Sequence, residues 1–185
     1  MKTEPIQDYI LKSEQNLRIA AAVGEAWPDA REKLVSTFLD RIDMRLKRKL
    51  KGWKFERWGG RFFVDAYPSY YFWKPAWEGQ YYLGLECNEY GQRMIFGVMR
   101  EKDHIGKRPF SEQLLNAVRK IQPSARTHSW WEARITMRAP AADWRKPEVL
   151  WQMHKDAKFL ESVEKQLLEV AINSAPIIDR LARKK

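Results

Sequence analysis

The sequence predicts an α+β fold: an antiparallel meander of five or six strands, flanked by two N-terminal helices and a long C-terminal helix. Three observations lead there. Residues 53–99 are runs of aromatic and β-branched side chains cut short by turn residues, the pattern of a pleated, half-buried surface. On either side, apolar residues recur at three- and four-residue steps, which is helical spacing. With 44% hydrophobic and 13% aromatic residues in 185, the chain has the composition of one ordered domain, 1–185, with a proper core.

Residues 4–23 read as the first helix. Thr3 can cap it, Pro5 suits its first turn, Ile6, Tyr9, Ile10 and Leu17 fall near helical spacing, and Gly24 ends it. The second helix starts at Pro28, with Asp29 and Glu32 complementing the dipole of its first turn. Leu34, Val35, Phe38, Leu39, Ile42, Leu46 and Leu50 give it a continuous apolar stripe, closed by Gly52.

In the meander, Trp53–Trp58 and Arg61–Tyr67 flank Gly59-Gly60, a two-residue hairpin signal. Tyr70–Trp73 follows, and Pro75-Ala-Trp77 bends away from the sheet as a loop. Tyr81, Leu83, Leu85 and Cys87 alternate with Tyr82, Gly84 and Glu86, so one strand face is fully apolar. Asn88–Gly91 turns the chain into Arg93–Met99. Glu101–Pro109 reads as a charged connection containing Asp103-His104. Ser111 caps a short helix with Leu114, Leu115, Val118 and Ile121 inward, and Trp130–Met137 alternates as another strand. From Pro147 the pattern is helical to the end, with a kink or break expected near Asn173–Ala175 because of Pro176.

The net charge is +10, and seven of that surplus lies between Arg41 and Arg61, where nine Lys/Arg face only Asp43 and Glu56. Such a block raises the encounter rate with polyanions, although it also suits a plain basic surface. Arg41, Arg45, Arg48, Lys49, Lys51, Lys54, Arg57 and Arg61 are the expected phosphate contacts, with Trp58 as a stacking platform among them. A bulky aromatic is more often a core residue. Nucleic acid, DNA or RNA, is thus the expected partner of a non-enzymatic module. The alternative is a protein-interaction or inhibitor domain whose exposed aromatic loop presents Tyr70, Trp73 and Trp77 to a protein partner.

A third reading, a metal-dependent nuclease-like hydrolase, starts from Asp65 and Glu86. The residue two beyond Glu86 is Asn88 rather than lysine, and Glu132-Ala-Arg134 puts arginine in that place. His104, His128, His154 and Cys87 share no ligand spacing, no Gly-rich phosphate loop occurs, and Cys87 reads as a small core residue. No catalytic residue, metal or cofactor is therefore expected. No apolar run reaches the ~18 residues of a membrane span, so no membrane partner is expected. The N-terminus, Met-Lys-Thr-Glu-Pro, lacks a secretory signal's apolar stretch, and a single cysteine suits a reducing compartment. The expected location is cytoplasmic.

Trp27-Pro28, Gly52-Trp53, Tyr82-Leu-Gly-Leu-Glu86, Ile95-Phe-Gly-Val98 and Pro176-Ile-Ile-Asp179, in that order, resemble the accessory region found in bacterial and phage proteins of the PD-(D/E)XK nuclease family. That region follows a nuclease module which this chain lacks, together with its catalytic residues. The resemblance implies a stand-alone recognition or regulatory domain of phage or defence origin, and it carries over no active-site residue.

Overall fold

Ser13 divides the N-terminal helical sequence. In the computed structural model, which describes residues 4–88, 90–101 and 109–183, its hydroxyl accepts from the Asn16 backbone N–H at 3.1 Å. This cap ends α1 (Glu4–Leu11) and starts α2 (Glu14–Lys49), so the boundary expected at Gly24–Pro28 lies instead at 12–13. Helix α2 continues through Pro28. The carbonyl that Pro28 leaves without a donor belongs to Gly24, which is exposed, so water can serve it and the loss is tolerated. Val35, Phe38, Leu39, Ile42 and Leu46 are buried, as the apolar stripe predicts.

The strands are β1 (Lys54–Trp58), β2 (Ser69–Trp73), β3 (Tyr81–Asn88), β4 (Arg93–Arg100), β5 (Arg126–His128) and β6 (Trp131–Thr136). They form one antiparallel sheet in the order β1-β2-β3-β4-β6-β5. The expected Gly59-Gly60 hairpin is corrected. Strand β1 pairs with β2, Phe55 opposite Phe72, and 61–67 is a loop rather than a strand. Its backbone has another partner: the Glu32 carboxylate of α2 accepts from Phe62 N–H at 3.1 Å and Phe63 N–H at 2.8 Å. Phe62 then stacks on buried Trp144, ring centroids 5.7 Å apart. The short strand β5 was not anticipated.

Helix α3 (Glu112–Ile121) begins at the Ser111 cap as expected, and α4 (Pro147–Lys155) is separated from α5 (Ala157–Ala182) by the capping side chain of Asp156. No break follows Asn173. Helix α5 continues through Pro176, whose missing donor falls over the carbonyl of exposed Ile172, while Val163, Leu167, Ala171, Ser174 and Ile178 hold the helix against the body. Helices α2, α4 and α5 share one core with Tyr70, Phe72, Leu83, Leu85, Phe96 and Val98 from the sheet. Asp103-His104 lies outside the described residues. Among those described, no helix is long and apolar enough to cross a membrane.

The expected aromatic loop is also corrected. Pro75–Trp77 forms a 3-10 turn, Trp77 is fully buried, and Tyr70 and Trp73 are buried as well. Trp77 packs edge-on to Trp53 at 4.9 Å, Trp73 edge-on to Tyr82 at 5.2 Å, and the Tyr70 hydroxyl donates to Asp43 at 3.0 Å. These rings gain more from leaving water than from display, since each carries 150–250 Å² of surface. An exposed aromatic hot spot is not what this segment builds.

Candidate functional site

The basic block does not form one surface, because α2 and β1 aim its members three ways. Toward the helical layer, Arg41 donates to the Met153 carbonyl of α4 at 2.9 Å. Arg45 and Lys49 reach across to α5, where Glu164, 2% exposed, meets Arg45 Nε at 2.6 Å and Lys49 Nζ at 2.9 Å. These cations neutralise a buried carboxylate and are committed to the fold. Toward solvent, Arg48 donates to the Met44 carbonyl of its own helix, and Lys51 is exposed. Lys54 pairs with Glu78 at 2.9 Å.

The third group lines a cleft of about 540 Å³ between α2 and the end of β1. Lys33, Ser36 and Thr37 come from α2, and Arg57, Trp58, Gly60 and Arg61 from the strand and the loop after it. Trp58 is 58% exposed, an unusual state for the largest side chain in a chain that buries Trp77, Trp131 and Trp144 completely. Arg57 pairs with Asp40 at 2.8 Å and Arg61 with Asp29 at 2.7 Å, but both acids are well exposed. Such surface pairs are worth only about 0–1 kcal/mol, so an incoming anion can exchange with them. Glu32, the carboxylate in the wall, is already committed to the Phe62 and Phe63 amides. What remains is an indole face, two guanidinium groups, an ammonium and two helix hydroxyls around one opening.

Lys33, Ser36 and Thr37 were not singled out from the sequence. Their signal is spacing: with Asp40 they fall at steps of three and four on the polar side of α2, next to the apolar stripe.

The opposite side of the sheet is different. Ile95, Met99 and Trp131 cluster there with Tyr71, Tyr82 and Trp130, and among the described residues no helical one belongs to the group. Gly84 sits directly opposite Gly97 in the β3–β4 ladder, leaving bare backbone at the centre. Beside it Glu86 is 4% exposed and carries neither hydrogen bond nor ion pair among the described residues. Burial pushes its carboxyl up to about 7, against the opposing pull of the Arg134 charge. The other carboxylates weighed with it are engaged elsewhere: Asp65 accepts from the Arg61 amide at 2.6 Å, and Glu132 from the Ser111 amide at 2.7 Å. Among the described residues no group of three or more His, Cys, Asp or Glu could hold a metal ion. Cys87 is buried, its thiol pushed up to about 12 by burial, which makes it a poor nucleophile.

Compared with protein-family models, curated proteins and solved structures, the chain matches none.

Proposed function

We propose that the chain is a non-enzymatic module that binds single-stranded nucleic acid in the cleft between α2 and β1. The observation that carries this reading is the exposed indole of Trp58 set among Lys33, Arg57 and Arg61 at one opening. Stacking a base on an aromatic ring is worth about 1–3 kcal/mol, while cations follow the phosphates on either side. A duplex offers no free base face to Trp58, so single strands are the favoured ligand. The resemblance to the accessory region of PD-(D/E)XK nuclease proteins supports a recognition or regulatory role, and with it a phage or defence setting.

The test is fluorescence anisotropy with labelled single- and double-stranded DNA and RNA across a salt series. Single strands bind more tightly than duplexes. Trp58→Ala weakens single-strand binding about ten-fold or more. Replacing Lys33, Arg57 and Arg61 together by Gln flattens the logarithmic salt slope by about 2, at about 0.7 per lost phosphate contact. Binding that ignores Trp58 and keeps its slope in the triple variant sinks the cleft as the site.

A further inference from the structure

The N-terminal arm carries an apolar surface that its own chain does not cover. Between Ile6 and Trp27 seven large apolar side chains are exposed, from 40% at Trp27 to 75% at Leu11, with Ile6, Tyr9, Leu17, Ile19 and Val23 between them; Ile10 is half-buried. Three of them lie on α1, and on α2 Ile19 and Val23 fall on the side away from Leu17 and Gly24, so Leu17 and Trp27, with small residues between them, form the exposed face in line with the buried stripe. The arm is no frayed end, since it is capped by Ser13 and runs into the buried part of the same helix. The stripe that is buried at Val35, Phe38 and Ile42 continues toward the N-terminus as Leu17, Ala21, Gly24 and Trp27, all exposed.

The arm is complementary to itself. Reversed about the point between Ala22 and Val23, Ala21 falls opposite Gly24, Leu17 opposite Pro28, Arg18 opposite Trp27 and Glu14 opposite Arg31. Small residues meet at the middle, where two helices must approach closely. Opposite charges meet at both ends, and a cation meets an indole between them; within one copy Glu14 pairs instead with Arg18 at 2.6 Å, an exposed pair that an added partner can exchange with. Within one copy the Arg31 guanidinium lies over the Phe63 ring at 4.6 Å and the Trp27 ring at 5.9 Å, and its buried Nε has no hydrogen bond. A foreign partner would require no such mirror relation within one helix, whereas a two-fold axis requires it.

We propose that the arm is a homodimerisation element, in which the α2 segments of two copies pair antiparallel and cross at Ala21 and Gly24. Each copy then contributes the same surface, and the cleft at the base of each arm stays open.

Sedimentation equilibrium of the full chain from low to high micromolar concentration tests this, with Gly24→Glu as the critical variant. A Cβ at Gly24 has nothing within 4 Å, and Glu is the better helix former, so this change leaves the single chain folded with equal or greater helicity by circular dichroism. It places a bulky charge at the crossing. The wild-type chain sediments at twice its 22.0 kDa mass. Gly24→Glu lowers the association constant at least about ten-fold, while Ala22→Glu, on the polar side, leaves it intact. A wild-type chain of single mass at every concentration, a larger open assembly, or a dimer indifferent to Gly24→Glu overturns the proposal.

Discussion

The indole of Trp77 donates to Asp179 across 102 residues of sequence, Nε1 to Oδ1 at 2.7 Å, and the other oxygen of the same carboxylate takes Lys74 Nζ at 2.6 Å. One acid on α5 thus fastens both ends of the segment that leads out of β2, which is why an aromatic turn between two polar residues is buried. Burial alone would raise the Asp179 carboxyl. The hydrogen bonds from Lys74 and Trp77 and the charges of Lys74 and Arg183 outweigh it and hold the group below its ordinary value.

Asp179→Ala leaves the indole N–H of Trp77 buried and unpaired, and lowers stability by about 2 kcal/mol. Asp179→Asn keeps an acceptor for the indole and loses about half as much. Because the native carboxyl is depressed, its contribution is present at neutral pH and fades as the solution is acidified through the native value. Urea denaturation of both variants at neutral and acid pH checks the size and the sign.

Glu86 has the opposite linkage. Its carboxyl is raised from 4.5 to about 7 in the folded chain, so the neutral form is the one the fold prefers. That preference is fully present below about 4.5 and is lost as the pH rises through about 7. Glu86→Gln therefore stabilises the protein by about 1–3 kcal/mol near pH 8 and leaves it nearly unchanged near pH 4. Thermal melts across that range show the two curves converging in acid; parallel curves would mean that Glu86 titrates normally.

Gly84 and Gly97 face each other but tolerate substitution unequally. A Cβ on Gly97 would run into the carbonyl oxygen of Ala133, fixed backbone of the β4–β6 ladder. Gly97→Ala costs about 3 kcal/mol or more. At Gly84 the nearest atom is Met99 Sδ at 2.6 Å, the end of a flexible side chain, followed by the Tyr71 ring at 3.1 Å. Gly84→Ala costs about 1 kcal/mol, and chemical denaturation of the pair checks the order.

Charge changes in the basic block separate fold from surface. Arg45→Ala removes the closer partner of buried Glu164 and costs about 2–4 kcal/mol, less than an isolated buried charge would because Lys49 remains. Lys51→Glu changes stability by about 0.5 kcal/mol at most. Melts of the two variants would contradict this assignment if their costs were equal.

Local periodicity alone determined much of this protein. The alternation in Tyr81–Cys87 and the apolar run in Arg93–Met99 gave two central strands, the three-and-four spacing of Val35 to Leu46 gave the buried half of α2, and Ser111 gave the start of α3. Each is a repeat or a cap that neighbouring residues complete by themselves, so it is visible in one dimension. The sequence also marked Arg57, Trp58 and Arg61, and it placed them with Arg45 and Lys49 on one basic surface. Tertiary structure decided otherwise, sending Arg45 and Lys49 to a carboxylate on α5 and gathering the other three around a cleft with Lys33. It likewise buried Trp77 beneath Asp179, exposed Trp58, and drew residues 61–67 out of the sheet through Glu32. In each case the deciding partner lies between 17 and more than 100 residues away. A charge or an indole goes wherever it loses least by leaving water, and that depends on which groups the folded chain brings within about 3 Å of it, a distance no spacing along the sequence encodes.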